Sequence, residues 1–194
     1  FIATLGAMKI LRSVTQQFMQ SSSPKVPTGF QQIARVKVGG QMFMPILYWL
    51  LIALVLYIVS KKTVFGRHVF AVGSNEKTSR LSGINVNRVK LGVYALMGAV
   101  VAIAAVLQVS RIGAMDPANA GSGYELDSIA AVIVGGTSMS GGKGSAVGTV
   151  FGMLIIAVMN NLLNLLGVPP FLREAFKGAI IIAAVLLQRK SSDN

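Results

Sequence analysis

Hydrophobic positions in this chain fall in long blocks, without the strict alternation of a strand or the narrow stripe of a surface helix. Met42 to Ser60 reads MFMPILYWLLIALVLYIVS and Leu91 to Ser110 reads LGVYALMGAVVAIAAVLQVS, neither with a charged residue. A helix needs roughly 20 mostly apolar residues to cross the hydrocarbon core of a bilayer, and both blocks reach that length. Ser145 to Leu166 is a third block, carrying Asn160, Asn161 and Asn164. Phe171 to Gln188 is a fourth, whose first turns hold Arg173, Glu174 and Lys177. Between the second and third lies Leu126 to Met139, LDSIAAVIVGGTSM. As a helix it would cover about 21 Å, short of a crossing, and its closing glycines predict a discontinuous or re-entrant element. Phe1 to about Gln20 starts apolar and turns polar, as expected for the tail of a span or a bent helix. The pattern predicts an all-α, polytopic transmembrane bundle of four to five spans, with one Gly-broken short helix, forming a single membrane domain over residues 1–194.

The polar stretches add orientation. The connection 61–90 holds Lys61, Lys62, Arg67, Lys77, Arg80, Arg88 and Lys90 against one acid, Glu76. The connection from Arg111 to Glu125 holds only Arg111, with Asp116 and Glu125. Cytoplasmic loops of membrane proteins are enriched in Lys and Arg. The expectation is a cytoplasmic 61–90 connection, a cytoplasmic tail beginning Arg189-Lys190, and external connections at 111–125 and 167–171. Counting 126–140 as a crossing then places Lys143 inside.

The formal net charge of +12 follows from the same topology and does not mark a nucleic-acid surface. Overall, 53% of residues are hydrophobic and 12% charged, against about 25% charged in ordinary soluble domains. Mean hydropathy is +0.66. With no cysteine and one histidine, His68, the chain has no thiol chemistry and no multi-histidine metal site. No paired carboxylates or nucleophile–base spacing suggests catalysis on a substrate. The opening FIATLG has neither an initiator Met nor a basic n-region, and reads as the inside of a longer protein whose amino-terminal spans are absent.

Within the 61–90 connection, Ser74-Asn75-Glu76-Lys77-Thr78-Ser79-Arg80-Leu81-Ser82-Gly83 has the punctuation of a short helix. Ser74 can cap it, Glu76 stands in the first turn where a negative charge suits the dipole, and Gly83 fits the terminator position. Leu81 and Ile84, rimmed by Lys77 and Arg80, offer a few apolar contacts to a partner. His68, in the same connection, reads as an ordinary surface residue.

The densest glycine cluster, GGTSMSGGKGS at 135–145, superficially suggests a phosphate cradle. A P-loop needs G-x-x-x-x-G-K-[ST]. Counting from Gly136 places Gly142 where the lysine belongs, and counting back from Lys143 places Gly144 where the hydroxyl belongs. Gly135, Gly136, Gly141, Gly142 and Gly144 read instead as the hinge of the broken helix, between membrane segments. Asn160 and Asn164 share one helix face and could line a solute path or bond between helices. Tyr124 and Asp127, at the start of the broken helix with Glu125, could contact solute hydroxyls or act as caps and anchors. Arg173, Glu174 and Lys177 could form local pairs or meet an external partner.

FIATLGAMKILRS, FGRHVFAVGSNEKTSRLSGINVNRVKL, GYELDSIAAVIVGGTSMSGGKGS and NNLLNLLGV, in that order, closely resemble the ribose-type branch of sugar ABC importer permeases. The resemblance covers essentially the whole chain. Ser128 stands where that branch often has Ala. The resemblance implies a bacterial plasma (inner) membrane protein that works as a pair of permeases, with a second copy of itself or a related chain. It also implies cytoplasmic ATPase subunits and an extracellular or periplasmic sugar-binding protein as partners. Residues 74–84 would be the coupling helix seated in a groove of the ATPase. ATP and Mg²⁺ would belong to that partner, with no cofactor, metal or nucleic acid bound by this chain. Ribose, galactose, xylose and inositol stay open, with ribose favoured by the density of the match. The rival reading is an ion-coupled secondary transporter using the broken helix as its site.

Overall fold

A computed structural model of the chain describes residues 2–19, 26–35, 44–117, 119–169, 172, 173, 175, 176, 178–180 and 182. All regular structure among them is helical: α1 (Ile2–Met19), α2 (Thr28–Arg35), α3 (Met44–Lys62), α4 (Val64–Ser74), α5 (Glu76–Leu81), α6 (Val86–Ile112), α7 (Tyr124–Val134) and α8 (Ala146–Leu165). Three of these, α3, α6 and α8, are long and apolar enough to cross a membrane. Their bounds follow the three apolar blocks of the sequence. α3 begins with Pro45 in its first turn, where a missing N–H leaves nothing unpaired, and ends on Lys61 and Lys62. α6 starts five residues before its block, because Asn85 bonds the Arg88 N–H through its side chain and so begins the helix there.

The amino-terminal element is one helix, α1. Two helices have no counterpart in the sequence expectation, α2 and α4. The fourth block, 171–188, lies mostly outside the described residues, as do Glu174, Lys177, Arg189 and Lys190; its described residues up to 182 are helical.

The chain divides into two compact units, Phe1–Leu50 with Met97–Ser122, and Leu51–Leu96 with Gly123–Asn194. In the first unit, the end of α6 is closed by α2. Ser110 is fully buried, accepts from the Ala34 N–H at 3.0 Å and donates to the Phe30 carbonyl at 2.8 Å. Arg35 donates to the Arg111 and Ile112 carbonyls at 3.0 and 3.1 Å, so its guanidinium satisfies the acceptors that a helix end leaves open. Arg12 of α1 reaches the Ala120 carbonyl at 3.2 Å.

The second unit is centred on α7 and α8. Ala130, Ala131 and Ile156 are buried together, with Val134 and Met159 against them. Gly148 and Gly152 of α8 are four residues apart on one face and meet Gly135, just past the end of α7, and Ala131 of α7 backbone to backbone. A methyl on Gly152 would lie 2.8 Å from the Gly135 nitrogen. Small residues at this spacing let two helices approach closely in a medium where apolar area alone does not drive them together. The register, Ala131 with Gly152 and Gly135 with Gly148, makes the pair an antiparallel hairpin. The expected broken helix is thus two helices folded back on each other through the glycine loop.

Candidate functional site

The site builds from the turn that joins α3 to α4. Thr63 alone separates them: its hydroxyl donates to the Val59 carbonyl at 2.6 Å and accepts from the Gly66 N–H at 3.1 Å. Gly66 is buried, and a side chain there would collide with the Ser60 carbonyl. Gly92 of α6 leaves room for the Phe65 ring of α4: a methyl on Gly92 would sit 2.8 Å from the ring edge.

Asn75 breaks α4 from α5 with an extended backbone at φ −155 and ψ 107. Its N–H completes the last turn of α4 by bonding the Ala71 carbonyl. Its side chain accepts from the Thr78 N–H at 3.0 Å and caps α5. This corrects the expectation for Ser74, which is the last residue of α4 and not the cap of α5. The far end matches the expectation: Gly83 has φ +81, its N–H bonds the Arg80 carbonyl, and the Ile84 N–H bonds the Ser79 carbonyl, both at 3.0 Å. With both ends closed, six residues hold as a separate helix.

Glu76 fixes the orientation of α5. Its carboxylate meets Lys90 of α6 at 2.7 Å and Arg80 of α5 at 2.8 Å. The hydrogen bond from Lys90, then that from Arg80, hold the Glu76 carboxyl below its usual value of 4.5. Ser79 faces inward and is buried, whereas Leu81 is 90% exposed. A cleft of about 460 Å³ opens beside the helix, lined by Phe65, His68, Gly83, Ile84 and Arg88. His68 is half-buried in that wall.

The glycine loop takes a distinct role at each glycine. Gly136, at φ +82, terminates α7: its N–H bonds the Ile133 carbonyl, and the Thr137 N–H bonds the Val132 carbonyl. Gly135 makes the close approach to Gly148. The Gly141 N–H bonds the Ser138 carbonyl in a tight turn, and the Ser138 N–H bonds the Lys143 carbonyl. Gly141 and Gly142 have φ of +87 and +72 and lie against Gly73 and Ser74 at the end of α4. Gly144 lies near Thr137 and Phe70. Ser145 caps α8 by accepting from the Gly148 N–H at 3.1 Å. The loop is filled by the end of α4, which no local spacing in the sequence signals.

The remaining candidates gather at the opposite end of the hairpin. Tyr124 and Asp127 are in the first turn of α7, and Asn160 and Asn164 are near the end of α8. Tyr124 and Asn164 are exposed; Asp127 and Asn160 are half-buried. The Asn160 Oδ1 is enclosed and has no hydrogen-bond partner among the described residues. Ser128 donates to the Tyr124 carbonyl at 2.7 Å. Arg173 donates to the Val168 carbonyl at 3.0 Å; its expected pairs with Glu174 and Lys177 fall outside the described residues.

Comparison with known proteins bears on this arrangement. Residues 1–185 match the family model described as branched-chain amino acid transport system / permease component. The ribose import permease protein of Escherichia coli (strain K12) is 42% identical over 196 residues, covering 98% of this chain and 60% of that protein. The ribose import permease protein of Bacillus subtilis (strain 168) is 44% identical over 195 residues, covering 99% of this chain and 60% of that protein. The xylose transport system permease protein of Haemophilus influenzae is 45% identical over 141 residues, 73% of this chain and 37% of that protein. The chain therefore spans 60% of the length of these two ribose permeases. No solved structure matches it.

Proposed function

The chain belongs to the family of branched-chain amino acid transport system / permease components, and from that membership we propose that it is part of the permease of an ATP-driven importer of a ribose-type monosaccharide. The observation that carries the sugar class is the identity of 42–44% with ribose import permeases along 98–99% of this chain. The transporter sits in the bacterial plasma membrane, where two permeases, one of them a second copy of this chain, pair with cytoplasmic ATPase subunits and receive sugar from an external binding protein. α5 is the element that docks on the ATPase. Its capped ends and its tie to Lys90 keep it rigid, and the exposed Leu81 beside the 460 Å³ cleft gives the partner an apolar hold. The excess of Lys and Arg over residues 61–90 supports a cytoplasmic position for that contact.

Transport proceeds by alternating access. ATP closes the ATPase dimer, the docked helices move with it, and the spans rearrange around the path; this chain does no covalent chemistry. Tyr124, Asp127, Asn160 and Asn164, gathered at one end of the α7–α8 hairpin, are the residues proposed for that path. The test is uptake into vesicles holding the full-length permease, its ATPase and the binding protein. Labelled ribose should accumulate only with ATP inside the ATPase compartment. Uptake sustained by an ion gradient with no ATPase subunit would overturn the proposal in favour of a secondary transporter.

A further inference from the structure

The end of α4 and the glycine loop between α7 and α8 meet at a seat made mainly of backbone, with the Phe70 ring near Gly144 beside it. Gly73 and Ser74 come from the last turn of α4, immediately before the Asn75 cap; Gly141 and Gly142 come from the glycine loop. A methyl on Gly73 would stand 2.9 Å from the Gly142 nitrogen, and one on Gly142 would stand 2.8 Å from the Ser74 Cα and 2.9 Å from its Cβ. A methyl on Gly141 would collide with the Gly73 carbonyl. Backbone cannot swing aside as the tip of a long side chain can, so each surface fixes the other's position. Gly141 and Gly142 are further held by their left-handed φ and by the turn from Ser138 to Lys143. The loop continues directly into α7 through Gly136 and into α8 through the Ser145 cap. Along α7 and α8, glycine-to-backbone contacts at Gly135, Gly148 and Gly152 leave little room for independent sliding.

We infer that the contact of Gly73 and Ser74 with Gly141 and Gly142 is the mechanical link that passes displacement of α5 to the α7–α8 hairpin. This rests on the proposed role of α5 as the ATPase-docking helix. Motion of α5 is imposed on the end of α4 through Asn75, a single residue that caps both helices. The glycine loop follows because its backbone is seated on that end. The hairpin then moves as one piece, and its other end carries Tyr124, Asp127, Asn160 and Asn164. Gly73, Gly141 and Gly142 are on this view positioning residues, which touch neither sugar nor nucleotide.

The decisive variant is Gly73→Ala in the full-length permease, assembled with its ATPase and binding protein. Gly73 has no left-handed φ, and alanine is the better helix former. Any loss therefore comes from the broken contact and not from a weakened helix. The expected result is wild-type association with the ATPase and retained ATP hydrolysis, with sugar transported per ATP lowered at least about fivefold, the scale of a modest coupling between sites. Gly142→Ala should behave the same way. Gly167→Ala, at φ +70 with open space around it, is the strain-matched control and should keep the wild-type ratio. A wild-type ratio in Gly73→Ala would overturn the link.

A second measurement stands even if Gly73→Ala folds poorly. This chain has no cysteine, so Ser74→Cys combined with Gly142→Cys, in a transporter otherwise free of cysteine, gives one possible bridge. Reduced, the added side chain pushes the loop away and uptake should fall; oxidised, the disulfide restores the connection and uptake should recover. Oxidation that lowers uptake, or leaves it unchanged, would overturn the link. If wild-type vesicles show no ATP-driven uptake at all, it is the proposed function that fails, an outcome these variants cannot imitate.

Discussion

Ser110 shows how one hydroxyl in an apolar helix can hold a neighbouring element. It lies at the end of an uncharged run, where the sequence reads simply as a span, yet it is fully buried and bonded to both the Ala34 amide and the Phe30 carbonyl. Ser110→Ala removes both bonds between α6 and α2, and a hydrogen bond contributes about 0.5–1.5 kcal/mol net. Thermal unfolding in detergent should register that loss, whereas Ser82→Ala, which removes an exposed hydroxyl bonded only to the Thr78 carbonyl, should be near neutral. Glu76 belongs to the same scale but acts through charge. Its folded-state value is lowered by Lys90 and Arg80, so its contribution is present above the ordinary carboxylate value and lost as pH falls below it. The ion pairs are exposed and add little stability; their effect is on where α5 sits. Glu76→Gln should accordingly uncouple uptake from ATP hydrolysis while barely moving the unfolding temperature. Unchanged uptake and unchanged ATPase association would count against α5 as the docking helix.

At the scale of elements, what was legible in the sequence was whatever is written locally. α8 follows its apolar block to within a residue at either end, since Ser145 is a cap and Gly167 a left-handed terminator. α5 was legible for the same reason, through Glu76 and Gly83, although the cap fell one residue later than Ser74. α4 was not, because VFGRHVFAVGS mixes apolar and basic residues inside a charged connection and is bounded by Thr63 and Asn75, whose roles depend on the turns they make. α2 was hidden likewise: TGFQQIAR is short, and α6 and Arg35 define its position. The seating of Gly141 and Gly142 on Gly73 joins positions far apart in sequence, and no periodicity reports it. The hairpin itself yields a prediction. Gly152→Val would force a branched side chain against the Ala131 carbonyl and the Gly135 nitrogen. Overpacking of this kind costs about 1–3 kcal/mol, and the variant should show a lower unfolding temperature in detergent. Val147→Ala, at an exposed position on α8, should not.

For the whole molecule, the apolar surface and the charges point the same way. α3 and α6 have none of their apolar window buried among the described residues, and α8 has 11%, so most of that surface is left for lipid or for further protein to cover. α8, with 20 residues, rises about 30 Å and can cross alone; α7, with 11, rises about 16 Å and cannot. If α8 crosses the bilayer, a hairpin of unequal arms carries Tyr124 and Asp127 only part-way along it, which is the position the proposed solute path calls for. It also fixes a side for Lys143. The glycine loop touches the end of α4, so Lys143 shares its side with Lys77 in spite of the intervening α6, α7 and connection 113–123. Single-cysteine variants of this cysteine-free chain can read that directly. Lys77→Cys and Lys143→Cys should react with an impermeant maleimide only in inside-out vesicles, and Asn119→Cys only in right-side-out vesicles. Reaction of Lys143→Cys and Lys77→Cys from opposite sides would overturn the α4–loop contact and, with it, the proposed path from α5 to the hairpin.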